Sequence, residues 1–293
     1  MLTTTAQPTA RANKIVTDAV TDLGEIATLP EVTVKIIQVV ENPKSTARDL
    51  HEIIKNDPAL STRLLKVVNS AFYGLPGQIA SVDRAIVLLG LSAVKNIAIA
   101  ASMTHLFNSS SQIEGMSSAE VWKHSIGVAV CCRMISAAQG RPNVEESFLA
   151  GLIHDIGLLV ERQVFPKQLA HAVARHHQQG GDFCEVEREI IGADHQAFGM
   201  ALATKWRFPS TLCTAIGYHH KPMELAPVNQ ELSIAVHVAD VLACRQQIGF
   251  SMTAANEQYS EEMLERLKLN PSIIEDIVEK LPEQVAVTES IFS

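Results

Sequence analysis

The sequence predicts an all-α fold, a two-lobed multi-helix bundle, and three observations carry the prediction. Apolar residues recur at helical spacing along most of the chain, whereas strand-like signals are short and isolated. A polar, serine-rich segment, Asn108 to Ser118 (NSSSQIEGMSS), interrupts the pattern and marks a linker. Finally, 293 residues of which 47% are apolar and 19% charged supply a sizeable core and exclude disorder over most of the length.

In chain order, residues 1–14 (MLTTTAQPTARANK) have no apolar run and read as a disordered polar tail, not a secretion signal. Residues 15–107 form the first helical lobe. Glu31 to Val40 sets Val32, Ile36, Val39 and Val40 on one helix face, and Asp49 to Asn56 does the same with Leu50, Ile53 and Ile54. Asp57-Pro58 supplies an N-cap and a first-turn proline for a helix whose face is Leu60, Leu64, Leu65 and Val68. Turn residues from Asn69 to Gly77 end it. A further helix starts with Ser81 as N-cap and stops at Gly90, and Leu91 to Phe107 carries the next. After the 108–118 linker, a second helical lobe spans 119–250. Its helices are expected over Ala119–Ala138, Glu145–Ile153, Pro166–His176, His195–Trp206, Ser210–His219 and Glu231–Ile248. A C-terminal helical extension, 251–293, contains two short helices between Ser260 and Leu281, separated at Asn270-Pro271.

Composition also restricts function. A net charge of −8 and 5% aromatics, with no dense Lys/Arg run, disfavour broad nucleic-acid binding, which needs a positive surface and stacking rings. The most apolar stretch, Ala85 to Ser102, is broken by Ser92, Lys95 and Asn96 before it reaches the ~20 residues of a membrane span. Five cysteines (Cys131, Cys132, Cys184, Cys213, Cys244) form no CxxC pair, so reduced, packed thiols in a cytoplasmic protein are expected.

The residues that could carry chemistry are histidines and acids. His154-Asp155 ends the apolar run FLAGLI, where an imidazole nitrogen and a carboxylate oxygen could converge on one ion; alone, the pair is more common as a helix C-terminus whose His caps carbonyls and whose Asp starts the next turn. Glu120 and His124, four apart, share a helix face and could join a metal cluster or form an exposed pair. His195 follows Asp194 at a helix start, and His219-His220 closes an apolar helix. Asp240 lies inside SIAVHVADVLAC, where a buried carboxylate demands a cation, hydrogen bonds or a metal unless it sits on a solvent stripe. His176-His177 precedes QQGG and reads as a helix terminus; His51, His105 and His171 read as structural. His237, three before Asp240, fits either a partner of a metal ligand or a core histidine.

In order, His124, His154-Asp155, His195, His219-His220 and Asp240 resemble the HD metal-dependent phosphohydrolase superfamily, which binds metal in an all-α bundle. The segments LPEVTVKIIQVVENP, IIKNDPALSTRLLKVVNSAFYG, EVWKHSIGVAV, GLIHDIG, DHQAFGMALATKWRFP and AIGYHH are similar to the HDOD family, a signalling branch related to the HD-GYP cyclic-di-nucleotide phosphodiesterases. The resemblance covers about residues 26 to 250 and makes the second lobe HD-like. It implies His124, His154, Asp155 and Asp240 as core metal ligands, with Glu120, His195, His219 and His220 as the additional ligands of a multinuclear site. Nitrogen and oxygen donors suit iron, manganese or zinc without selecting among them.

Two departures from HD-GYP enzymes bear on turnover. Their HDIGK becomes HDIG followed by Leu158, and no GYP motif follows His219-His220. The expected function is an HDOD-type signal-transduction protein, a regulatory interaction or ligand-sensing module with a retained metal site. A metal-dependent phosphohydrolase is the alternative, with cyclic-di-nucleotide hydrolysis weak or absent and no catalytic residue assigned. A signalling protein is the expected partner and a nucleotide or phosphoester a candidate ligand.

Overall fold

The computed structural model describes residues 10–23, 29–42, 44–70, 73–75, 77–107, 113–142 and 144–292. Among these the chain is helical, with one isolated antiparallel bridge between Ile113 and Met116 in place of strands. Local chemistry sets the first helices. Helix α1 spans Ala10–Asp22 and α2 Glu31–Glu41. Helix α3 (Ala47–Lys55) opens with a capping box: the Asp49 N–H donates to the Thr46 hydroxyl while the Thr46 N–H donates to the Asp49 carboxylate. Helix α4 (Pro58–Val68) starts on Asp57, whose carboxylate accepts the Leu60 N–H at 2.9 Å, with Pro58 in the first turn. Ser81 caps α5 (Val82–Leu89). Gly90, at φ 87°, ends α5 and opens α6 (Leu91–Met103), which tightens into a 3-10 turn at Thr104–Phe107.

The later helices are α7 (Ser118–Ala138), α8 (Val144–Ile153), α9 (Ile156–Val164), α10 (Pro166–Gln179), α11 (Phe183–Ile190), α12 (His195–Lys205), α13 (Ser210–Tyr218), α14 (Gln230–Arg245), α15 (Glu261–Arg266) and α16 (Pro271–Phe292). Helices α7 and α14 are buried nearly all round, as a helix at the centre of a bundle must be. Helix α7 packs on α8, α14 and α16; α9 crosses α12; α6 joins α8 to the layer made by α2 and α4. One continuous apolar core runs from Val16 to Phe292.

Three details differ from the sequence expectation. Ala10 to Lys14, assigned to the polar tail, lie in α1, whose Val16, Ala19 and Val20 are buried and which packs on α9 and α12; residues 1–9 lie outside the described residues. The last helix does not stop at Leu281. Although Pro282 removes one backbone donor, Val285, Thr288 and Phe292 extend the buried stripe of Ile274, Ile277 and Leu281, and the packing of α16 on α7 and α4 carries the helix through. Helices α9 and α11 had no sequence assignment of their own. Of the serine-rich segment, residues 108–112 lie outside the described residues; Ile113 and Met116 are buried, and Ser117 caps α7 by accepting the Glu120 N–H. The turn at 69–77 is described except for residues 71, 72 and 76, and nothing describes the side chains of Val40 and His105. No helix among the described residues is long and apolar enough to cross a membrane, and all five cysteines are free and buried.

Candidate metal centre

Five elements deliver the site. The second turn of α7 gives His124, the α8–α9 junction gives His154 and Asp155, the start of α12 gives His195, the end of α13 gives His219 and His220, and the middle of α14 gives Asp240. The junction is sharp because Gly157 lets α9 touch α12: a Cβ there would stand 1.8 Å from the His195 carbonyl oxygen. Gly249, at φ +68°, does the same for the turn after α14, where a Cβ would lie 2.3 Å from the Glu120 carbonyl oxygen. That approach lets the Phe250 N–H donate to the Glu120 carbonyl and places the Ile248 carbonyl 3.2 Å from His124 Nδ1.

Each ligand histidine turns its Nδ1 away from the cluster. A carbonyl only accepts, so the bonds from His154 Nδ1 to Gly151 (2.7 Å), His219 Nδ1 to Ile216 (2.8 Å) and His124 Nδ1 to Ile248 fix the proton on Nδ1. His195 Nδ1 faces the Glu187 carboxylate at 2.7 Å, and His220 Nδ1 lies 2.9 Å from Glu257. The Nε2 atoms turn inward. Those of His195 and His219 both stand 3.3 Å from Asp155 Oδ1, that of His154 stands 3.3 Å from Asp155 Oδ2, and that of His124 stands 3.1 Å from Asp240 Oδ1. The Nε2 atoms of His195 and His220 are 2.9 Å apart. Two unprotonated nitrogens cannot remain that close without a proton or a cation between them.

The electrostatics point the same way. His124 Nε2, His154 Nε2, both Asp155 oxygens and Asp240 Oδ2 are buried with no hydrogen-bond partner. Such atoms are costly unless a cation satisfies them. Burial pushes Asp155 upward, yet His154 and His195 outweigh it and hold the carboxyl well below the usual carboxylate range; His124 does the same for Asp240. Burial and the neighbouring imidazoles push His219 and His220 down to about 3. Burial also opposes a charge on His195, but Glu187 and Asp155 overcome it and raise that ring to about 10. With His219 and His220 held neutral beside ionised carboxylates, the inward-facing nitrogens and oxygens form a donor set that fits divalent metal.

Seven of the eight expected residues come together. Asp155, His195, His219 and His220 form one grouping whose donor atoms lie within 4.8 Å of one another, and His124, His154 and Asp155 form a second; Asp240 joins His154 and His219 in a third. Glu120 does not join. Its side chain is exposed in the first turn of α7, one turn before His124, and only its backbone approaches the site. His237 belongs behind the site: its Nδ1 donates to the His219 carbonyl at 2.8 Å. His176 caps its helix end through the Gly181 carbonyl at 3.1 Å, as expected.

Sequence reasoning missed Glu187, Glu257, Cys244 and Glu161. Glu187 is fully buried and accepts both the backbone N–H and the ring N–H of His195. Its signal was present: in FCEVEREI it falls four after Phe183 and three after Cys184, on the apolar face. Cys244, one turn after Asp240, places its thiol 3.4 Å from Asp240 Oδ1. Glu257 lies in an irregular loop with no periodicity to mark it.

The family model for the HDOD domain matches residues 26–222. A Treponema pallidum (strain Nichols) protein of uncharacterised function is 23% identical over 218 residues, which are 73% of this chain and 42% of that protein, so the chain spans less than half of that relative's length. A Shewanella amazonensis SB2B structure, provisionally described as a phosphohydrolase, is similar with a TM-score of 0.72 and 24% identity, covering 95% of this chain and 98% of that one. A Marinobacter aquaeolei VT8 structure, provisionally described as a signal transduction protein, has a TM-score of 0.76 and 20% identity, covering 97% of this chain and 66% of that one. At these identities the likeness is one of fold.

Proposed function

The chain belongs to the HDOD domain family, and from that premise we propose that it is a metal-holding regulatory module of signal transduction, engaging a protein partner or a small ligand rather than turning over cyclic dinucleotides. The observation that carries this reading is closure. The side chains of His124, His154, Asp155, His195, His219 and His220 are at most 2% exposed, which leaves a large phosphoester no surface to approach. Asp155 would hold metal together with the histidines on both sides of it, since its Oδ1 faces His195 and His219 while its Oδ2 faces His154. His124 and Asp240, 3.1 Å apart, would contribute further donors. Bound divalent ions supply charge neutralisation and Lewis acidity; in this reading they lock five helices together and make the shape of the module depend on metal state. Iron, manganese and zinc are all compatible with the donors.

Leu158 supports the same reading. It stands where the related phosphodiesterases have a lysine, and it is fully buried in the core, so this position offers a phosphate no cation. One observation favours a phosphohydrolase as second reading: Glu257, 22% exposed at the edge of the site, is pushed up to about 7 by burial, so it could exchange a proton near neutral pH. The deciding experiment supplies metal-reconstituted protein with cyclic dinucleotides. No turnover above a His154→Ala control is expected; robust turnover lost in that control would establish the enzyme reading instead.

A further inference from the structure

The metal centre is closed, so an ion can reach it only where part of its wall gives way. Most of that wall is helix packed into the continuous core. The stretch 251–259, between the turn after α14 and the start of α15, is not helical. Both of its ends are anchored: the Phe250 N–H donates to the Glu120 carbonyl at 2.9 Å, and the Ser260 hydroxyl caps α15 by accepting the Met263 N–H at 3.2 Å. Between the anchors it meets the site at two points. Ala254 packs on Val241 and Cys244, the neighbours of Asp240 along α14 and one turn on. Glu257 Oε1 stands 2.9 Å from His220 Nδ1 while its side chain is 22% exposed, so this one residue touches both a ligand and solvent. Little holds the stretch down. Among the described residues no backbone-to-backbone hydrogen bond joins 251–259 to another element. Its polar ties include the Asn256 amide, which donates to the Gly181 carbonyl at 2.8 Å, and the Gln258 carbonyl, 3.2 Å from His237 Nε2. Ala254 is its one buried apolar side chain and belongs with Val241 and Cys244 to a small cluster apart from the main core, which only the half-buried Met252 and Tyr259 reach. The closed position also carries a cost, because Thr253 Oγ1 and Glu257 Oε2 are buried without a hydrogen-bond partner.

We propose that residues 251–259 are a strap over the metal centre, hinged at Phe250 and Ser260, whose opening is the step that admits and releases the metal ion. The inference rests on the metal-holding reading of the site. Segments with few buried apolar contacts and few backbone hydrogen bonds open at the lowest free energy, while the helices around them stay folded. Opening the strap uncovers His220 and the Asp240 side of the cluster and gives water to the two orphaned oxygens. It need not disturb α7, α12 or α14. A gate of this kind changes entry and exit alike, so it sets the rates of metal exchange and leaves the equilibrium affinity alone, whereas a residue that orients a ligand changes the affinity.

Two variants push the strap in opposite directions. Asn256→Ala, at an exposed position, removes the tie to Gly181; Thr253→Val keeps the shape of the side chain and removes the orphaned hydroxyl. Cobalt(II) uptake by each metal-free full-length protein, and its loss to excess chelator, are followed by visible absorption. Asn256→Ala should speed both about 2- to 10-fold, the worth of one hydrogen bond, and Thr253→Val should slow both by a similar factor, with the cobalt spectrum and affinity unchanged. A second readout needs no metal: the alkylation rate of Cys244, beneath Ala254, mapped by mass spectrometry with Cys131 and Cys132, fully buried in α7, as references. Cys244 should be labelled fastest in Asn256→Ala and slowest in Thr253→Val, while Cys131 and Cys132 stay at the wild-type rate. Equal cobalt rates in all three proteins, an affinity that shifts with the loss rate while uptake stays constant, or Cys244 labelled no faster than Cys131 and Cys132 would each overturn the proposal. Should the wild-type protein bind no cobalt, the metal reading fails, whereas the order of Cys244 labelling still decides whether the strap opens.

Discussion

Gly157 makes the sharpest prediction because the atoms nearest a Cβ there are backbone. A Cβ at this position would stand 1.8 Å from the His195 carbonyl oxygen, 2.6 Å from its carbon and 2.8 Å from the Gly199 nitrogen. Ordinary contact begins at 3.4 Å, so Gly157→Ala must part α9 from α12 by about 1.6 Å. No side chain can swing aside to absorb this. Overpacking of this kind costs about 1–3 kcal/mol, and the upper part of that range is expected where two backbones oppose each other. The same displacement acts on the 3.3 Å separation between Asp155 and His195, since each sits beside the contact, and so bound metal should fall along with stability. The assay is urea denaturation of the metal-free proteins plus metal content after reconstitution, with Gln163→Ala, an exposed change on the same helix, as a control expected to stay within about 0.5 kcal/mol. A Gly157→Ala protein with wild-type midpoint and wild-type metal content would refute the close crossing of α9 and α12 as the element that sets the site.

Other consequences are equally open to measurement. Metal-free protein should be most stable near neutral pH: His219 and His220, held at about 3 against about 6.5 unfolded, destabilise it as pH falls below about 6.5 toward 3, while His195, raised to about 10, gives stability that is full below about 6.5 and is lost as pH rises through 10. Denaturation midpoints that climb steadily from acid to alkaline pH would contradict those assignments. Leu158→Lys should destabilise the fold without creating cyclic-di-nucleotide turnover, because the ammonium would enter a fully buried core position; thermal unfolding and a turnover assay on the variant check this. Pro282→Ala should stabilise by up to about 3 kcal/mol, since alanine restores the helix donor that proline lacks, and chemical denaturation reads it directly.

Much of the helical order was legible because helix signals are local. Asp57, Ser81 and Gly90 act at the ends predicted for them, and apolar spacing placed α2 to α8, α12 and α14 within a few residues. Where tertiary packing overrides a local signal, the reading failed, as at Pro282, whose helix persists because Val285 and Phe292 remain buried beyond it. The convergence of His124, His154, Asp155, His195, His219, His220 and Asp240 was legible through the order of residue types and the resemblance it carries, not through geometry. Glu120 shows the limit of that route: sharing a helix face with His124 does not bring its side chain inward when the helix begins only at Ser118. The residues behind the ligands were hidden for a related reason. Glu161 and Glu187 are ordinary acids in sequence, and only the folded packing buries both side chains.

The central claim is that the converging imidazoles and carboxylates hold metal, and elemental analysis of anaerobically purified full-length protein tests it most directly. The arrangement of Asp155, with one oxygen facing His195 and His219 and the other facing His154, leads us to expect about two divalent ions per chain, retained through gel filtration and lost in the Asp155→Ala variant. Wild-type protein that carries no transition metal as isolated and takes up none on reconstitution, or an Asp155→Ala variant that binds as much as wild type, would contradict the account.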